Sequence, residues 1–172
     1  MSKEKDIKPV PVVKTIRRIV KRAREKEKLE EIQHPMLNMD PHSFDQSDKG
    51  WRSLPRHQQQ SVLKSYVAKH VGPGGKFNKN VPKGEKSIDP STLRWHLGQT
   101  QAMTGKKGDA LVNMQRSKKE SDPEWNKYVD ATTSFMKGDK EGFQKASSGR
   151  NSNKSTINRL KKGWGKDYKN AY

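Results

Sequence analysis

Hydrophobic positions recur at three- and four-residue spacing in short runs broken by glycine, proline and charge, and no convincing run alternates as a strand would. Val13, Ile16, Val20 and Ala23 form a first stripe, with Ile19 beside it and Leu29 and Ile32 resuming it, so a helix is expected from Val12 to about Gln33. A second is expected over Ser53–Val71: Pro55 sits in its first turn, Val62, Leu63, Tyr66, Val67 and His70 share one face, and Gly72-Pro73-Gly74-Gly75 stops it. Asp89 and Pro90 open a third, carrying Leu93, His96/Leu97, Thr100 and Met103 up to Gly105. After a basic elbow, Asp109 is expected to cap a short helix bearing Leu111 and Met114. Asp122 and Pro123 open the best-specified one, lined by Trp125, Tyr128, Val129, Thr132, Phe135 and Met136 and closed by Gly138. Asp139 then caps a turn or two containing Phe143 and Ala146, and Ile157 and Leu160 dock a last turn ended by Gly163. The fold class is therefore all-α: an irregular bundle of six or seven short helices with Gly/Pro-rich basic loops and flexible termini.

Between these runs, residues 34–50 read as a locally acidic loop, 72–88 as a mobile basic loop and 147–156 as a polar linker. This divides the chain into a basic N-terminal helix with an acidic-leaning linker (1–50), a helical core domain (51–146) and a basic aromatic C-terminal tail (147–172). Only 28% of the 172 residues are hydrophobic and 33% are charged, enough for a thin core and close to the disordered regime.

Charge changes the picture most. Lys and Arg number 37 against 19 Asp and Glu, a formal net charge of +18, and such a surplus points to a polyanion. It concentrates at 14–24, 76–119 and 154–169. In the first helix acids are absent from Lys14 to Arg24, so Lys14, Arg17, Arg18, Lys21, Arg22 and Arg24 are expected to meet nucleic acid, arginine suiting bidentate phosphate or RNA contacts. Lys76 on the Gly/Pro-rich loop joins them, as do Arg94, Lys106, Lys107 and Arg116 around the elbow. In the tail, Arg159, Lys161, Lys162 and Lys166 surround Trp164, with Tyr168 and Tyr172 beyond, an interleaving that suits single strands. The stretch Asp89-Pro90-Ser91-Thr92-Leu93-Arg94 resembles the opening of recognition helices in helix-turn-helix DNA-binding domains. That resemblance covers six residues, and the long Gly/Pro-rich loop before Asp89 departs from the pattern.

Catalytic and metal chemistry find little footing. His34, His42, Asp40, Asp45 and Asp48 match no ligand spacing, and with no cysteine there is neither a thiolate zinc site nor a disulfide framework. Gly75-Lys76 lacks the outer glycine of a phosphate loop, since His70 stands there, and Phe77 replaces the metal-binding hydroxyl. Glu124 with Lys127, Glu85 with Lys86, and Asp109 lack a nuclease framework, and no serine sits in a nucleophile elbow. No enzyme and no cofactor are expected.

The expected function is nucleic-acid binding, to DNA or RNA, mainly through the phosphate backbone, with scope for a regulatory role. The alternative is a structural or assembly component of a nucleoprotein particle, such as a virion interior, ordered by its neighbours; the third is a regulator presenting helix 12–33 to an acidic protein. The N-terminus lacks the apolar region of a secretory signal and no run suffices to span a bilayer, so a soluble protein of the cytoplasm or nucleoid, or one packaged in a virion, is expected.

Overall fold

The computed structural model describes Val20 and residues 35–172. The chain divides into two units, Met1–Pro35 and Met36–Tyr172. In the first, Val20 is helical and 44% exposed. The rest of the expected helix 12–33, with Lys14, Arg17, Arg18, Lys21, Arg22 and Arg24, lies outside the described residues.

The second unit is all-α. Its helices are α1 (Pro41–Gln46), α2 (Arg56–His70), α3 (Pro90–Met103), α4 (Lys107–Gln115), α5 (Pro123–Lys137), α6 (Lys140–Ser147), α7 (Lys154–Lys162) and α8 (Tyr168–Ala171), with a 3-10 turn at Trp51–Ser53. Among the described residues there is no sheet, only one bridge between Val71 and Phe77. No described helix is long and apolar enough to cross a membrane.

Aspartate followed by proline starts three of these helices. Asp89 Oδ1 accepts from Ser91 N at 2.8 Å and Asp122 Oδ1 from Trp125 N at 2.9 Å, as their sequences require. Asp40 Oδ1 does the same for His42 N and Ser43 N, so the expected loop 34–50 contains a capped helix. It folds because Phe44, fully buried, stacks on Tyr66 at a centroid distance of 3.7 Å. Tyr66 Oη also donates to Met39 O at 2.7 Å, holding the segment from its other side.

Helix α2 begins at Arg56, later than the expected Ser53, because Leu54 precedes a proline and stays extended (ψ 151°). Its predicted face is the buried one: Val62, Leu63, Tyr66, Val67 and His70. Past α2, the first half of the supposed mobile loop is tied down. Gly72 N donates to Lys76 O at 2.9 Å, and Asn78 bonds back to His70 O and to Lys69 O.

Helices α3 and α4 form the elbow. Gly105 adopts φ 78°, Gly105 N bonds Ala102 O and Lys106 N bonds Gln101 O, which ends α3 in a left-handed cap. The chain re-enters helix at Lys107, so Asp109 lies inside the first turn of α4 and does not cap it. The two helices approach closely at Gly98, where a Cβ would stand 2.7 Å from Met114 Cγ. Helix α3 is central: Leu93, Trp95, Leu97 and Ala102 are all buried, together with Arg94 and Gln101. With these side chains packed inside, α3 serves the core along most of its length, so the helix-turn-helix likeness is local only.

Helix α5 packs its predicted face, and the core runs on through Phe143 of α6 into Ile157, Leu160 and Tyr168. The expected boundaries at 50 and 147 are therefore not boundaries of packing. Leu160 is fully buried and Ile157 is 3% exposed, which makes the C-terminal tail part of the core and not a flexible terminus.

Candidate nucleic-acid interface

Where the acids go decides what the surface looks like. Residues 36–172 hold 26 Lys and Arg and 13 Asp and Glu. Asp40, Asp89, Asp122 and Asp139 turn their carboxylates onto backbone N–H groups at helix N-termini. Asp45 is wholly buried. Among the described lysines and arginines, only Arg52, Lys118 and Lys119 make an ion pair with a carboxylate: Arg52–Asp45 (3.1 Å), Lys118–Asp130 (2.6 Å) and Lys119–Asp89 (3.5 Å). Five of the thirteen acids thus serve helix ends or the interior, and most cations are left facing solvent without a carboxylate partner.

Of the predicted contact residues, Lys76, Lys106, Lys107, Arg116, Arg159, Lys161, Lys162 and Lys166 are exposed. Arg94 is not. It is 6% exposed, and its Nη2 donates to Gly72 O at 3.0 Å, bracing the loop that carries Lys76. Burial, and then the neighbouring charge of Arg116, depress its basicity. Arg94 is a strut inside the fold, not a phosphate contact. Spacing alone placed it on the outer face of α3, but that face is covered.

Trp164 also departs from expectation. It is half-buried, with its ring set edge-on to Phe135 (centroids 5.6 Å, 81°) and close to Phe143 at 5.1 Å. An indole engaged in this way is part of an aromatic cluster and not a free stacking platform. Tyr168 is buried and stacks on Tyr172 at 5.0 Å, while Arg159 lies over the Tyr172 ring at 5.3 Å.

The structure brings the elbow and the tail together at one place. A cleft of about 560 Å³ opens between the end of α3, the start of α4, the end of α5 and the segment from Trp164 to Lys169. Lys107 and Lys166, predicted separately, both line it, joined by Lys137 and Lys169, which sequence reasoning missed. Its apolar lining includes Met103, Phe135, Met136 and Trp164. The available signal was the pairing of lysine with a glycine in a turn, at Gly105-Lys106-Lys107, Lys137-Gly138 and Gly165-Lys166, where all three glycines have positive φ. Such turns converge wherever helix ends meet, but the meeting itself is a tertiary fact.

A second polar cluster was also missed. Asp45 Oδ1 accepts from Trp51 Nε1 at 2.8 Å and meets His96 Nδ1 at 2.9 Å and Arg52 Nη1 at 3.1 Å. Burial would raise the Asp45 pKa, but the bond to and charge of His96, the Trp51 bond and the charge of Arg52 outweigh it and bring it down to about 2. An Asp–His pair invites a catalytic reading. Here the Arg52 guanidinium lies within 3.3 Å of both imidazole nitrogens, so the cluster acts as a clasp joining 45–52 to α3. No group of three or more His, Asp or Glu capable of holding a metal occurs among the described residues. No protein family, curated protein or solved structure matches this chain.

Proposed function

We propose that this chain is a nucleic-acid-binding protein that acts by neutralising backbone phosphates rather than by catalysis. One observation carries the reading: between Met36 and Tyr172 cations outnumber acids 26 to 13, four of the acids are engaged as helix caps and Asp45 is buried, while most of the cations stand at the surface free of carboxylate partners. A protein that needed charge only for solubility gains nothing from that segregation, whereas a polyanion releases its counterions to it.

The test is a salt titration of binding to duplex DNA, single-stranded DNA and structured RNA. With six phosphates neutralised, log K on duplex DNA falls against log salt with a slope of about −5. An affinity that barely responds to salt overturns the reading. The alternative, a particle component ordered only by its neighbours, draws less support, because buried side chains from Phe44 to Tyr168 supply this unit with a core of its own. Thermal melting by circular dichroism separates the two, a cooperative transition of the isolated chain favouring autonomous folding.

A further inference from the structure

We propose that the cleft between the ends of α3 and α5 and the Trp164–Lys169 segment seats one unstacked nucleotide of a single strand, its base against Met103 and its phosphate among Lys107, Lys137 and Lys166. The proposal rests on the phosphate-binding reading above and adds the kind of strand.

Three observations carry it. The volume, about 560 Å³, falls within the range of pockets that enclose small organic ligands. The lining joins two chemistries that a nucleotide also joins: an apolar wall and a cationic rim of four lysines against a single aspartate, Asp167. Met103 is 40% exposed inside that rim, an apolar side chain left uncovered where a base would cover it. Dipole compensation does not account for the rim as a whole. Lys137 closes α5, where a cation is favoured, but Lys107 opens α4, where the positive helix pole disfavours it. In a duplex the bases face one another inside the stack, so only a strand with a free base satisfies wall and rim together.

The experiment uses the full chain and labelled probes of three kinds: short oligothymidylate, short oligouridylate and a short DNA duplex, with affinities read by fluorescence anisotropy at one salt concentration. Met103→Ser removes apolar wall without changing charge. It is expected to lower the ratio of single-strand to duplex affinity by about fourfold or more, which is what burial of one methylene against the base contributes. Met103→Leu, which keeps the wall, is expected to restore the ratio, and its recovery rules out a folding defect as the cause. A ratio unmoved by Met103→Ser overturns the proposal while leaving phosphate binding intact. So does displacement of the single strands by an acidic peptide more readily than by duplex, which assigns the cleft to a protein partner. Wild-type affinities that do not respond to salt for any probe reveal the separate failure of the phosphate reading.

Discussion

Two regions of the Met36–Tyr172 unit use charge in opposite ways. In the clasp around Asp45, the carboxylate is fully buried and engaged by Trp51, Arg52 and His96. In α7 and the segment after it, Arg159, Lys161, Lys162 and Lys166 stand exposed on a backbone anchored by Ile157, Leu160 and Tyr168. Both are rich in charged and aromatic residues, and composition alone does not separate them. The difference is desolvation. A buried charge is held by its partners and contributes to folding, whereas a solvated one contributes little to folding and stays available to a ligand.

Breaking the clasp has the largest expected effect. Asp45→Ala leaves Arg52, Trp51 and His96 without their shared acceptor, and a loss of about 3–5 kcal/mol in urea unfolding is expected. The same carboxylate predicts a pH dependence. Its folded pKa of about 2 lies below the ordinary carboxylate value of 3.8, so the unfolded chain takes up the proton first. The stability it supplies, about 2 kcal/mol by the shift, is complete above the ordinary carboxylate range and is lost as pH falls towards 2. An acid titration of wild type and Asp45→Asn shows it, the variant having the flatter curve.

Leu160→Ala tests whether the cationic region stands on the core. A cavity at a fully buried leucine is expected to cost about 2–5 kcal/mol, against nearly nothing for a flexible tail. Arg94→Met comes next, with a loss of about 1–3 kcal/mol because Gly72 O loses its donor. Its slope of log K against log salt is expected to stay as in wild type. The smallest effect on stability belongs to Lys161→Gln, Lys162→Gln and Lys166→Gln combined, within about 0.5 kcal/mol, as for other surface changes. That triple variant is expected to flatten the salt slope on duplex DNA by up to about 0.9 for each lysine that reaches a phosphate. Arg94→Met and the triple variant together sharpen the contrast: one moves stability and spares salt dependence, and the other does the reverse.

The helices were legible where an apolar stripe ran for several turns between a cap and a stop. Asp122-Pro123 to Gly138 and Asp89-Pro90 to Gly105 satisfy both conditions, and α5 and α3 follow. Asp40-Pro41 carries the same opening signal, yet Phe44 is the one large apolar residue before Trp51, too little for a periodic pattern. What stabilises α1 is the Tyr66 ring from α2, and no window centred on Asp40 contains it. The site was half legible for a related reason. Lys107 and Lys166 were marked by local charge, whereas Met103, Lys137 and Lys169 join them only where separate chain segments meet.

By itself the sequence determined the all-α class, the caps and glycine stops of the longer helices, and the surplus of cations, because each depends on neighbours within a few turns of one another. Tertiary structure alone decided which charges are buried. Arg94 and Lys107 lie thirteen positions apart, and one is sealed against Gly72 while the other lines a cleft, because exposure depends on which distant segments cover a side chain.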